Sequence, residues 1–329
     1  MSSLPVLEHV ACALCESNES DLLLWGKDLI HQLPGEFAVV RCRKCGLLYT
    51  NPRPSRAGMM NYYPDDYGPH LEIAGTDHLE SHSPTHRRGS REWGTKWLKS
   101  ILGNLLDSSS TSLPELESPG KLLEVGCATG KFLSAMRDRG WETWGLEFAQ
   151  KPADYARSVL GLNVIQGVAE EMEYPEESFD LVVAWMVLEH LHDPLEVLRR
   201  MRRTLRRGGY LAFSIPNAGA WEFKCFRKYW YALQVPSHLY HFTTSSLGSM
   251  MKKADLRIER IIFQRCMRNV VASIGLFLRD QIGATKFTNT LIRYPEQATW
   301  YAQLSLMPLS KIVALFRQSG RITVWARKV

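Results

Sequence analysis

The sequence predicts a doubly wound α/β domain preceded by a small metal-stapled unit, and three observations carry that prediction. The first is LLEVGCATGKFL, residues 122–133, which reads as a buried strand breaking through a small-residue turn into a helix. The second is WETWGLEF, residues 141–148, a further apolar strand whose acidic Glu147 stands about 20 residues after Gly126. The third is a pair of Cys-x-x-Cys knuckles, Cys12/Cys15 and Cys42/Cys45, separated by 26 residues.

Leu122, Leu123 and Val125 form a nearly continuous apolar run interrupted by Glu124, as suits a central parallel strand covered on both faces. Gly126, Ala128 and Gly130 then make the turn. Glycine reaches backbone angles that a Cβ disfavours, and small residues let the main chain approach a ligand. Ala128 is expected to be tolerated if the turn needs no positive φ at that position. Amides at the following helix start can face electron-rich groups. Lys131 to Arg139 is the predicted first helix, stopped by Gly140.

After the second strand, a helix through Tyr155 to Leu160 leads to a third strand, LNVIQG, and FDLVVAW gives a fourth. Asp193 is placed as a helix cap and Pro194 in the first turn, with Leu195, Leu198, Met201 and Leu205 at helical spacing. The six arginines between Arg199 and Arg207 fall on the other face, as a solvated side rather than a nucleic-acid stripe. Gly208 and Gly209 are expected to end this helix, with YLAFSIPN as the fifth strand. Residues 256–264 and 321–328 read as sixth and seventh strands, with a largely helical insertion over 268–319. Within it LSLMPLSKIVALF is apolar enough to cover the sheet, meet a second copy in a homodimer, or touch a membrane surface, but too short to span one.

The knuckles set the character of the N-terminal stretch. Two thiolates at this spacing bind one ion from one turn, and a second pair closes a four-cysteine site of the structural zinc type. A unit this short lacks a sufficient core of its own, so metal would supply much of its folding free energy. The expected division is a zinc ribbon over 1–60, an aromatic and helical linker and lid over 61–120, and the α/β domain over 121–329. In the linker, Tyr62, Tyr63 and Tyr67 suggest either a lid or packing of the ribbon, and Trp93, Trp97, Leu98, Ile101 and Leu105 follow helical spacing. His70, His78, His82 and His86 read as solvated loop rather than a metal tract.

Composition excludes little but points one way. Lys and Arg exceed Asp and Glu by 40 to 34, a mild excess that permits an acidic partner without demanding one. Seven cysteines and no apolar segment of spanning length or signal-like start suggest a cytoplasmic protein whose thiols serve metal or core.

With these residues in view, the turn Glu124, Gly126, Ala128, Gly130 resembles the E/D-x-G-x-G-x-G motif of class I S-adenosylmethionine (SAM) dependent methyltransferases, with alanine at the middle glycine. A dinucleotide-binding turn has a longer second spacing. The resemblance implies a Rossmann-like seven-stranded sheet with its last strand antiparallel. It implies SAM held along Glu124–Gly130, with Glu147 accepting the ribose hydroxyls and Ala169 and Glu170 bordering the adenine. Trp185 to His190, after the fourth strand, also matches the family pattern, with His190 near the methyl group. CxxCG followed by NPRP and the tyrosine patch resembles the ribbon of sugar and other small-molecule methyltransferases, and the PSHLYHF segment at 236–242 resembles the acceptor-side segment of the zinc-ribbon sugar enzymes. An acceptor must lose a proton as it attacks the methyl sulfonium, and histidine is suited to receive it. His238 is the first choice and His241 the second, against a turn stabilised by ring hydrogen bonds.

The acceptor class expected is a nucleotide-linked sugar or polysaccharide precursor. RNA methylation through the ribbon and a non-catalytic SAM-binding adaptor are the alternatives. Against RNA, no Asn-Pro-Pro-aromatic motif follows the fourth strand and no Pro-Cys pair is present.

Overall fold

The computed structural model describes residues 6–63, 113, 114, 116, 118–297 and 300–329. Tyr67, the four histidines at 70–86 and the expected helix from Trp93 lie outside the described residues, and so does most of the 61–120 linker.

The elements in chain order are β1 (Leu7–Glu8), β2 (Ser20–Gly26), β3 (Phe37–Cys42), β4 (Leu48–Thr50), β5 (Arg53–Pro54), α1 (Arg56–Met59), β6 (Lys121–Val125), α2 (Lys131–Arg137), β7 (Glu142–Glu147), α3 (Gln150–Ser158), β8 (Asn163–Gln166) and β9 (Phe179–Trp185). They continue with α4 (Pro194–Thr204), β10 (Leu205–Pro216), α5 (Trp221–Phe226), β11 (Tyr240–His241), α6 (Thr244–Lys253), β12 (Leu256–Phe263), α7 (Arg268–Ile282), α8 (Lys286–Gln297), α9 (Trp300–Leu315) and β13 (Arg321–Lys328). Seven strands form one sheet in the order β12-β13-β10-β9-β6-β7-β8. The five from β10 to β8 run parallel, and β13 lies antiparallel between β10 and β12.

Alternation along the central strands sorts the core onto two faces. Leu122, Leu181, Val183 and Ala212 pack beneath α2 and α3 with Leu133, Met136, Ala153 and Ala156. Leu123, Val125, Val182, Ala184 and Phe213 turn the other way, toward Leu195, Leu198 and Met201 of α4. These helix residues are buried, each burial being worth roughly 1.5–3 kcal/mol. Asp193 caps α4 as expected, its Oδ1 accepting from the Glu196 amide at 3.0 Å.

One boundary differs from the sequence reading. α4 ends at Thr204 rather than at Gly208, and β10 begins at Leu205. Leu205 is fully buried and pairs with Phe179, so burial draws it out of the helix into the sheet. The arginines of this stretch are tied to their own chain: Arg200 to the Met172 carbonyl, Arg202 to the Asp255 carbonyl, Arg203 to Glu196 and Arg206 to Asp180.

The N-terminal strands form a separate sheet, but they do not complete it. Its order is β11-β4-β3-β2, so the edge strand comes from the segment that follows β10. Tyr240 pairs with Tyr49 and His241 with Leu48. The apolar residues of this sheet, including Val39, Leu47, Leu48 and Tyr49, are continuous with the core on the α4 face. No helix among the described residues is long and apolar enough to cross a membrane.

Candidate active site

The carboxyl ends of β6, β7, β8 and β9 open onto one pocket, as expected for an open α/β sheet. The turn after β6 forms one wall. Gly126 has φ +74°, and a Cβ there would stand 2.7 Å from Val187 Cγ2 across the pocket. Ala128 has φ +46°, which corrects the expectation that alanine stands here because no positive φ is required. The turn does require it, and alanine bears the strain; the Ala128 amide, held by Glu147, offsets it. Gly130, at φ +78°, does not line the pocket: a Cβ there would meet Leu162 and Ala156 at 2.6 and 3.1 Å, so this glycine seats α2 against its neighbour.

Glu147 lines the pocket while almost wholly buried. Its Oε2 accepts from the Ala128 amide at 2.8 Å and its Oε1 from the Ala149 amide at 2.9 Å. Burial raises its pKa, and these amides oppose the rise. Glu124 sits beneath the turn instead of in the lining, with one carboxylate oxygen lacking a hydrogen bond. Burial, then the charge of Glu147, holds its carboxyl well above the usual range.

Ala169, Glu170 and Trp185 all reach the pocket. Glu170 Oε1 accepts from the His192 amide at 2.8 Å and pairs with Arg56 at 3.6 Å, joining the β8 loop to α1. Trp185 stands edge-on to Phe132, with its indole Nε1 buried and unpartnered.

The candidate histidines separate. His190 lines the pocket; His238 and His241 do not. His190 Nδ1 lies 3.0 Å from the Ser237 carbonyl and 2.9 Å from the Tyr63 hydroxyl. A carbonyl only accepts, which assigns the ring proton to Nδ1 and leaves Nε2 with its lone pair. Burial, opposed by the Ser237 bond, pushes its pKa down to about 4. His238 packs edge-on behind it, ring centroids 4.6 Å apart, and its Nδ1 donates to the Ala232 carbonyl at 2.9 Å. Burial, then its histidine neighbours, keeps His238 well below the usual imidazole pKa. His241 is buried with Nε2 unpartnered and its pKa pushed down to about 3 by burial.

Residues that the sequence reading did not single out complete the walls. Phe148 follows Glu147 into the pocket, Val187 closes over Gly126, and Arg56, Met59 and Met60 arrive from the N-terminal side. The two readings of the tyrosine patch divide between adjacent residues. Tyr63 lines the pocket and meets Phe148 edge-on, whereas Tyr62 packs on Phe37.

The four N-terminal cysteines converge, with all sulfurs within 4.8 Å of one another. Cys12 and Cys45 are 3.4 Å apart, as are Cys15 and Cys42. A tetrahedral Zn–S site has sulfurs about 3.8 Å apart, so the set fits one ion with small adjustment. Each knuckle turns on a positive-φ residue after its second cysteine, Glu16 at +61° and Gly46 at +76°.

Residues 99–261 match the family described as Methyltransferase domain. The chain carries a SAM-dependent methyltransferase domain. It is 33% identical over 103 residues to a ubiquinone biosynthesis O-methyltransferase of Aliivibrio fischeri, covering 30% of this chain and 44% of that protein. It is 30% identical over 155 residues to a protein of the same name from Stutzerimonas stutzeri, covering 43% and 66%. The chain thus spans between 44% and 66% of these curated relatives. The solved structure of an S-adenosylmethionine dependent methyltransferase from Mesorhizobium loti covers 68% of this chain and 99% of its own, at 16% identity and a TM-score of 0.46. Within the methyltransferase domain, the pocket falls at the strand ends that follow the glycine turn.

Proposed function

We propose that this protein transfers the methyl group of SAM to a small polar acceptor, with a nucleotide-linked sugar or polysaccharide precursor as the leading class. The observation that carries this reading is the single pocket shared by the Gly126–Ala128 turn, the Glu147 carboxylate and His190. SAM supplies an electrophilic methyl sulfonium. The protein's part is then largely to position the acceptor and to exclude water.

Glu147 keeps lone pairs beyond the two it gives to amides, and these would receive the ribose hydroxyls. Ala169 and Glu170 would border the adenine, and Gly126 and Ala128 would approach the cofactor with bare backbone. Glu124 and Gly130 would act from beneath, by holding the turn. Trp185 and Val187 would close the methyl-bearing end. The acceptor's proton would leave toward the His190 wall, with His238 directly behind and His241 deeper. Zinc at Cys12, Cys15, Cys42 and Cys45 would be structural, since four thiolates leave no open position.

The name of the relatives, ubiquinone biosynthesis O-methyltransferase, favours one further acceptor class, a hydroxyl oxygen of a small molecule on the way to a quinone. Calorimetry of SAM binding to the protein and to Glu147→Ala, followed by transfer of labelled methyl to sugar nucleotides and to catechol-type phenols, tests the reading. Expected is binding by the native protein, large loss in the variant, and label in one acceptor class. Absence of SAM binding by the folded protein would overturn it.

A further inference from the structure

Behind the pocket wall lies a cluster that the methyl-transfer reading leaves unexplained. One ligand atom from each of Glu189, His190 and His238 lies within 4.8 Å of the others. We propose that these three residues bind a divalent first-row transition-metal ion at the wall of the pocket.

Glu189 provides the first argument. Its side chain is fully buried, and neither carboxylate oxygen has a hydrogen-bond partner. A buried carboxyl group with no partner for either oxygen is costly, and native structures rarely leave one without a reason. Arg321 contributes charge from nearby, but its own Nε is likewise without a bonded partner. A cation beside the oxygens would supply the missing partner.

The second argument is the state of the two rings. His190 gives Nδ1 to the Ser237 carbonyl and His238 gives Nδ1 to the Ala232 carbonyl. A metal-binding histidine characteristically donates its other ring N–H to a carbonyl or carboxylate, which fixes the ring and points the lone pair of Nε2 at the ion. Both rings make that Nδ1 bond, which leaves Nε2 as the nitrogen each could offer.

The backbone holds the cluster in register. The Leu239 amide donates to the Glu189 carbonyl at 2.7 Å, so the segment bearing His238 is pinned to the one bearing Glu189 and His190. Thr50 Oγ1 in turn donates to the His238 carbonyl. Two imidazoles and a carboxylate suit Zn²⁺, Co²⁺, Fe²⁺ or Mn²⁺ better than Mg²⁺ or Ca²⁺, which favour all-oxygen sets. Three protein ligands leave at least one position for a water or an acceptor oxygen. His190 also lines the pocket, so an open position turned to that side would face the acceptor. This role for the ion rests on the methyl-transfer reading: it would orient an acceptor hydroxyl at the His190 wall and lower its pKa, and because two liganded imidazoles have no lone pair left, the released proton would pass along that wall to solvent.

Cobalt titration separates this site from the ribbon. Protein stripped of metal and restored with one equivalent of zinc, which the four thiolates take first, is titrated with Co²⁺ and followed by visible absorption, alongside Glu189→Gln and His238→Gln, with circular dichroism to confirm folding. Expected is one equivalent bound with weak d–d bands and no thiolate charge-transfer band, and an affinity at least tenfold lower in Glu189→Gln. Glutamine is isosteric with a protonated carboxyl, so a carboxyl that merely stays protonated predicts equal cobalt binding in the variant. That outcome, the absence of d–d bands, or bands of thiolate character alone overturns the proposal. SAM calorimetry on the same samples reads the other claim: Glu189 is outside the pocket lining, so SAM binding should persist in Glu189→Gln. Cobalt bound without SAM supports the metal site and defeats methyl transfer; SAM bound without cobalt does the reverse.

Discussion

Glu147 at the end of β7 holds the turn after β6 through the Ala128 amide, 2.8 Å from its Oε2. The same carboxylate takes the Ala149 amide with its other oxygen, so one side chain organises both strand ends at the pocket. Glu147→Gln keeps the shape but replaces one acceptor oxygen by a donor. Hydrogen bonds to a charged group are worth about 1.5–3 kcal/mol, so SAM affinity should fall roughly ten- to a hundredfold. Calorimetry reads this directly, and an unchanged Kd would remove Glu147 from the cofactor site.

Ala128 pays for its position with φ +46°. A left-handed residue with a Cβ costs about 1–2 kcal/mol, partly recovered in the unfolded chain, where glycine is more flexible. Ala128→Gly should therefore stabilise the domain by up to about 1 kcal/mol, or about 2 °C in Tm. A lower Tm would show that the alanine methyl packs usefully in the pocket wall.

If the four thiolates hold a metal, removing it should reach well past the N-terminal sheet. Chelation, or Cys42→Ser, releases β3 and β4, and with them the partner of β11. A loss of several kcal/mol is expected, roughly 10 °C in Tm. Differential scanning calorimetry before and after zinc replacement checks it; equal transitions would make the cysteines ordinary core residues.

Glu222 gives a pH signature away from the pocket. Burial pushes its carboxyl up to about 7, against the bonds from Trp230 Nε1 at 3.3 Å and the Gly320 amide at 3.2 Å. Between the unfolded value of 4.5 and this value the folded state holds more protons, so stability falls as pH rises through that window and levels off above it. The loss is about 3 kcal/mol. Glu222→Gln should abolish this component, gaining on the native protein between pH 5 and pH 8. Urea midpoints at the two pH values measure it, and parallel behaviour of both proteins would refute the assignment.

The sheet was legible because its signals are local: apolar strand runs, a glycine turn and helical spacing each occupy about a dozen residues or fewer. β13 ran as expected, antiparallel beside β10. The pocket was legible at Gly126, Glu147, Ala169, Glu170, Trp185 and His190, where chain position at strand ends dictates exposure to one cleft. What escaped depends on distant neighbours. Nothing near Glu189 reveals that its oxygens stay unbonded, because that follows from His238 and Arg321 brought in from far along the chain. The order among the histidines failed to show for the same reason: spacing in PSHLYHF cannot tell a ring at the wall from a ring behind it.

The strand pair Tyr240–Tyr49 and His241–Leu48 makes the N-terminal unit something other than an appended module. Main-chain bonds run from Thr50 to Leu239 and from Leu239 to Glu189, crossing from the ribbon to the floor behind the pocket in two steps. Amides along this path are expected to open as a unit and to exchange with solvent together. A metal held by the cysteine knuckles would thereby be reported at the far end of the path as the fraction of molecules whose pocket is assembled.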